Sequence, residues 1–185
     1  TYNNKDKKQI ATSVSADFKI AKNGKAVLYM QNVDEQSSIG QLFLYKKGGQ
    51  PKQLSQKTRI GFYMFSDNSN AVTYIDNFDE QSFSGELYYS NLNANTIKVD
   101  SNAVTPMRMS RSGEITYYRD YNQELGVANF CYWKKGKQPV IAAEGIKTGY
   151  VITTPLSAKF AFVQSDEGGS NYDLYLNRTP SNKKI

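Results

Sequence analysis

The side chains best suited to chemistry in this chain are carboxylates that come in pairs. Asp34-Glu35, Asp79-Glu80 and Asp166-Glu167 are adjacent acids, and Asp120 with Glu124 makes a looser fourth pair. Phe78, Phe83 and Tyr121 lie beside them. Paired acids suit three tasks. They cleave glycosides when one donates a proton and the other acts as base or nucleophile. They hold calcium through hard oxygens. With aromatic neighbours they bind a sugar ring or anchor a protein. Adjacent exposed acids more often stay ionised and idle than cleave glycosides, and "DNFDEQSFSGE" lacks the ligand spacing of a helix-loop-helix calcium site. Binding is the functional reading these residues allow, beside the plainer one that acids keep exposed loops solvated and recur because the repeats were duplicated.

What is missing narrows the choice further. The chain has no histidine, so a Ser-His-Asp or Cys-His arrangement cannot form. Its one cysteine, Cys131, excludes an internal disulfide and sits in an apolar run that reads as packing. No glycine-rich phosphate loop and no zinc spacing appears. We therefore expect a non-enzyme with no cofactor and no metal. No apolar run is long enough to span a membrane. The net charge of +6 is compatible with anionic partners. Its lysines, however, lie in turns with few interleaved aromatics, Trp133 being the exception, which argues against specific nucleic-acid binding. Abundant Lys and Asn with scarce Cys suggest a bacterial, extracytoplasmic protein, and Thr1 in place of Met reads as a portion of something longer.

The paired acids recur because the chain repeats. "AVLYMQN" at Ala26–Asn32 returns as "AVTYIDN" at Ala71, "EITYYRD" at Glu114 and "KFAFVQS" at Lys159. Tyr29, Tyr74, Tyr117 and Phe162 are thus 45, 43 and 45 residues apart. A second segment keeps step: Leu42, Leu87, Phe130 and Leu174 are spaced by 45, 43 and 44. Each copy holds short runs of period-two apolar pattern, strands a to d, separated by turn residues such as "KNGK" and "KKGGQP". Four antiparallel strands repeated at this period mark a propeller blade.

The expected fold is all-β, a β-propeller of four four-stranded antiparallel blades over residues 16–57, 58–104, 105–146 and 147–185 with 8–14. The N-terminal strand is expected to complete the last blade and close the exposed edge. A closed four-blade ring, half of an eight-blade ring in a strand-exchanged homodimer, and part of a larger propeller all fit.

The layout resembles the propeller repeats of the TolB type and of the prolyl oligopeptidase and dipeptidyl peptidase N-terminal propellers. The residues that carry the resemblance are Asn23-Gly24-Lys25, Ser112-Gly113-Glu114 and the pairs Leu42-Phe43, Leu87-Tyr88 and Leu174-Tyr175. Ser69-Asn70 and Ser157-Ala158 depart from it where glycine belongs. In that family the propeller commonly binds protein or gates a separate catalytic domain, and the resemblance implies architecture more than function.

In such a fold the b–c loops share one face with the d–a crossovers, and the a–b and c–d turns share the other. The b–c loops hold eleven of the seventeen acids and one base, Arg119, while Lys46, Lys47, Lys98, Lys134, Lys135 and Lys137 fall in c–d turns. We therefore expect a binding or scaffolding module recognising a protein or glycan on the b–c face. Its contact residues would be Asp34, Glu35, Phe78, Asp79, Glu80, Phe83, Asp120, Tyr121, Glu124, Asp166 and Glu167. The alternative is a propeller gating or supporting a hydrolase or peptidase domain elsewhere in the polypeptide.

Overall fold

The computed structural model describes residues 9–92, 95–149, 151–153, 160–165, 172–178 and 181–184. Among them every regular element is a β-strand, and no helix is long and apolar enough to cross a membrane. The first sheet is β1 (Val14–Ile20), β2 (Ala26–Gln31), β3 (Ile39–Lys46) and β4 (Lys52–Arg59), antiparallel and in sequence order. A seven-stranded sheet follows: β5 (Tyr63–Phe65), β6 (Ala71–Asp79), β7 (Ser84–Asn91), β8 (Thr96–Met109), β9 (Ile115–Asn122), β10 (Val127–Trp133) and β11 (Val140–Lys147). The last sheet is β12 (Val151–Thr153), β13 (Phe160–Ser165), β14 (Tyr172–Arg178) and β15 (Ser181–Lys184).

The middle sheet is two repeats that share one strand. β8 pairs with β7 through Thr96–Ala103 and with β9 through Ala103–Met109, so it closes the second repeat and opens the third. The register slips on either side of this handover, once beside Pro106, which has no N–H to give a ladder.

The inner repeats bury both faces of their sheets, which is why β6 is buried at every position from Ala71 to Ile75 rather than at alternate ones. Leu28, Met30, Leu42 and Leu44 of the first repeat pack on Tyr63, Val72 and Tyr74 of the second. Ile75, Leu87 and Tyr89 of the second pack on Ile115, Tyr117 and Cys131 of the third. Phe130, Ala128 and Tyr118 of the third pack on Phe160 and Phe162 of the fourth. The aromatics whose spacing marks the repeat stack on a residue of the neighbouring strand: Tyr29 on Phe43, Tyr74 on Tyr88 and Phe162 on Tyr175, with centroids 5.6, 5.5 and 5.1 Å apart. In the third repeat Cys131 holds that place opposite Tyr117, fully buried, and burial pushes its thiol up to about 12. It is buried as a packing residue.

Polar ties cross the same interfaces. The Tyr63 hydroxyl donates to Asp17 (2.6 Å), Ser55 to Asp76 (2.5 Å), and Tyr117 to Asp100 (2.6 Å), which also takes Arg119 Nη1 at 3.1 Å. Ser69 stands where Gly24 and Gly113 stand in neighbouring repeats and adopts the same left-handed backbone. Its hydroxyl accepts from the Lys22 N–H of the first repeat at 2.8 Å, so the turn keeps its shape without glycine and gains a tie.

Among the described residues the N-terminal segment does not complete the last sheet, contrary to the expectation from the repeat. β15 pairs with β14 and takes the fourth place in the last sheet, while residues 9–13 form no strand and Thr12 C=O accepts from Gln31 of the first repeat. A hairpin that returns directly from β14 closes a far shorter loop than a strand recruited from the other end of the chain, and so loses less entropy.

Candidate functional site

The b–c loops and the d–a crossovers do meet on one face. Ser38 C=O accepts from the Ile60 N–H at 2.9 Å, and Gly126 C=O from the Thr148 N–H at 3.4 Å. On the opposite face Lys25 C=O accepts from Lys47 N–H and Asn70 C=O from Leu92 N–H.

The repeated motif is first of all a device for building these loops. Asn32, just past β2, and Asn77 and Asp120, two residues before the ends of β6 and β9, take the left-handed region, where Asn and Asp are tolerated best. Each then hydrogen-bonds across to the strand returning from the loop: Asn32 to Gln41, Asn77 to Glu86 and, with donor and acceptor exchanged, Asn129 to Asp120. Asp34 accepts from the Gln36 and Ser37 N–H groups and the Ser37 hydroxyl; Asp79 accepts from their counterparts at Gln81 and Ser82. These bonds, chiefly from Ser37 and Ser82, hold both carboxyls below the usual carboxylate range. Gly40 and Gly85 follow because a Cβ there would lie 2.8 and 2.7 Å from the carbonyl oxygens of Gln31 and Asp76.

The proposed contact residues divide accordingly. Glu35, Glu80, Asp120 and Glu124 are exposed on the face, together with Asp34 and Asp79, whose inner oxygens are engaged in the loops. Asp166 and Glu167 lie outside the described residues. Phe78 is a correction. It is fully buried and belongs to the core, because the left-handed Asn77 breaks the strand's alternation and turns the next side chain inward.

Phe83 and Tyr121 stay at the surface, half-buried, with rings 5.5 Å apart. Phe83 holds a left-handed backbone (φ 49°), which for a bulky side chain costs about 1–2 kcal/mol. Phe62 and Phe78 pack against its ring edge-on, and the Arg59 guanidinium lies over it at 4.9 Å. Gln123 Nε2 donates to Gln81 C=O and ties the second and third loops around this patch.

Two members of this surface escape a reading of the b–c loops alone. Arg59 is the last residue of β4, where the d–a crossover begins, and among the described residues it forms no ion pair. Leu125 is 65% exposed at the tip of the third loop. Its position beside Glu124 is a signal the sequence contains, but a lone leucine in a loop carries no label. The charge polarity is softer than the loops alone predict, since Lys57 and Arg59 join the acids on one face while Asp67 and Glu114, paired with Arg108 and Lys134, join the lysines on the other. Among the described residues no three acids or cysteines gather closely enough to hold a metal ion.

Sheets of antiparallel strands stacked face to face in sequence order, with loops gathered at two opposite ends, define a β-propeller. The solved structures agree. The chain is similar to the β-propeller domain of the Trilobed protease from Pyrococcus furiosus, described as having an open velcro topology, with a TM-score of 0.58 at 9% identity over 94% of this chain and 58% of that one. It is similar also to a putative TolB from Agrobacterium tumefaciens (TM-score 0.51, 14% identity, 95% and 66%) and to TolB from Acinetobacter baumannii (0.50, 12%, 88% and 41%). The chain therefore spans less than two thirds of each. No family model matches it, and no curated protein matches it in sequence.

Proposed function

We propose that the chain is a non-catalytic binding module that receives a protein or glycan partner on its b–c loop face, outside the cytoplasm of a bacterium. The observation that carries this reading is Phe83. A bulky side chain held in a left-handed backbone is a cost that packing alone does not require, since Ser38 occupies the matching place in the first loop. Such strain collects where a surface must be held ready. Around it stand an arginine with no carboxylate partner among the described residues, Tyr121, the exposed Leu125 and a rim of carboxylates. Rigid aromatics and arginine inside a polar rim make the usual anatomy of a binding hot spot.

The test is a screen of the chain against an immobilised glycan array and a displayed peptide library. Any ligand selected should bind Phe83→Ala and Arg59→Ala at least tenfold more weakly while the far-ultraviolet spectrum stays that of wild type. Binding that survives both replacements places the site elsewhere.

A further inference from the structure

We propose that two copies of the chain join head to tail, the last sheet of each packing on the first sheet of the other. The three interfaces inside the chain are built alike. The face carrying Leu42, Leu87 or Phe130 meets the face carrying Tyr74, Tyr117 or Phe162 of the next repeat. Leu42, Leu87 and Phe130 are all 0% exposed; Leu174, at the same place in the fourth repeat, is 46% exposed. The other kind of face is open at the opposite end. Phe18 pairs with Tyr29 as Tyr63 pairs with Tyr74 and Val151 with Phe162, yet Phe18 is 53% exposed while Tyr63 and Val151 are 1% and 8%.

Both faces carry apolar side chains, and the first is open along β1, where Phe18 and Ile20 are exposed. Strand pairing puts Ile20, Val27 and Phe43 on the same side as Phe18, with Tyr29 there already buried, 2% exposed, stacked on Phe43 with Gln9–Thr12 beside it. It likewise puts Ala161, Val163 and Leu176 on the same side as Leu174. A sheet face meant for solvent alternates in polar residues instead. Because Phe18 and Leu174 are open in one and the same chain, its last sheet does not cover its first. One unused face of each kind remains, and a second copy supplies the complement of both. Two equivalent seams around a common twofold axis close the assembly, as a cyclic dimer requires. Eight repeats lie within the range of propeller rings. Each seam would repeat a contact the chain already makes three times. The b–c loops of both copies would share one side, joining their acidic rims.

Equilibrium sedimentation of the chain at micromolar concentration tests this. Wild type should show twice the chain mass. Phe18→Asp and Leu174→Asp should each show the single mass with an unchanged spectrum, since both side chains are exposed in the monomer. An equimolar mixture of the two variants should regain the doubled mass, because it still contains one intact seam: the last sheet of the first variant on the first sheet of the second. A wild-type monomer overturns the proposal. So does a dimer that survives both substitutions, or a mixture that stays monomeric; the first of these results would fit further sheets of a longer polypeptide on the same faces. None depends on the ligand screen, so failure of one reading leaves the other standing.

Discussion

Single atoms decide several positions in the repeated loops. At Gly85 the nearest atoms to an added Cβ are Ile75 Cγ2 at 2.6 Å and the Asp76 carbonyl oxygen at 2.7 Å, and the carbonyl cannot move without its strand. Gly85→Ala should therefore lower stability by about 1–3 kcal/mol through overpacking, read as a lower urea midpoint with an unchanged slope. Asp79 gives a pH signature. Its carboxyl is held below the usual value, so the contribution of its bonds is complete above about pH 4 and fades as pH falls through the lowered value. The protection factor of the Ser82 amide, its rate corrected for intrinsic exchange at each pH, should fall on acidification in wild type and already be low at neutral pH in Asp79→Ala. Slow exchange at Ser82 in that variant would show that the loop does not depend on the carboxylate.

At the scale of elements, the polar ties matter because each links a strand to the next repeat. Tyr117 is fully buried, and burial together with its bond to Asp100 pushes its hydroxyl far above the ordinary tyrosine range, so it stays a donor. Tyr117→Phe leaves Asp100 with Arg119 and the Asn102 N–H and should cost about 1–3 kcal/mol, measured by denaturant melting. The b–c loops are partly legible in the amino-acid sequence. "DEQS" in two copies marks a shared loop, and the period of the strands puts its acids on one face. Phe78 is not legible in this way, because alternation predicts direction only while the backbone stays extended, and Asn77 departs from it. Nor is Arg59, whose partners Phe62, Phe78 and Phe83 meet it only when a crossover from one repeat lies over the loop of the next.

Across the whole molecule, stability should behave as a chain of neighbour contacts. Phe130 is a fully buried side chain of the interface between the third and fourth repeats. Phe130→Ala should remove about 3–5 kcal/mol, with faster hydrogen exchange in residues 160–165 and 172–176 and little change in residues 26–31 and 39–46. Uniform loss of protection would show instead that the repeats unfold as one unit. The period, the strands and the order of the repeats were determined by the sequence, because burying both faces of successive sheets demands the same apolar pattern in every copy. The local closure by β15, the burial of Phe78, the gathering of Arg59 with Phe83 and Tyr121, and the two open end faces were decided only by tertiary structure. Each depends on which segments lie side by side in space, and a pattern of spacing along one strand does not encode its distant neighbours.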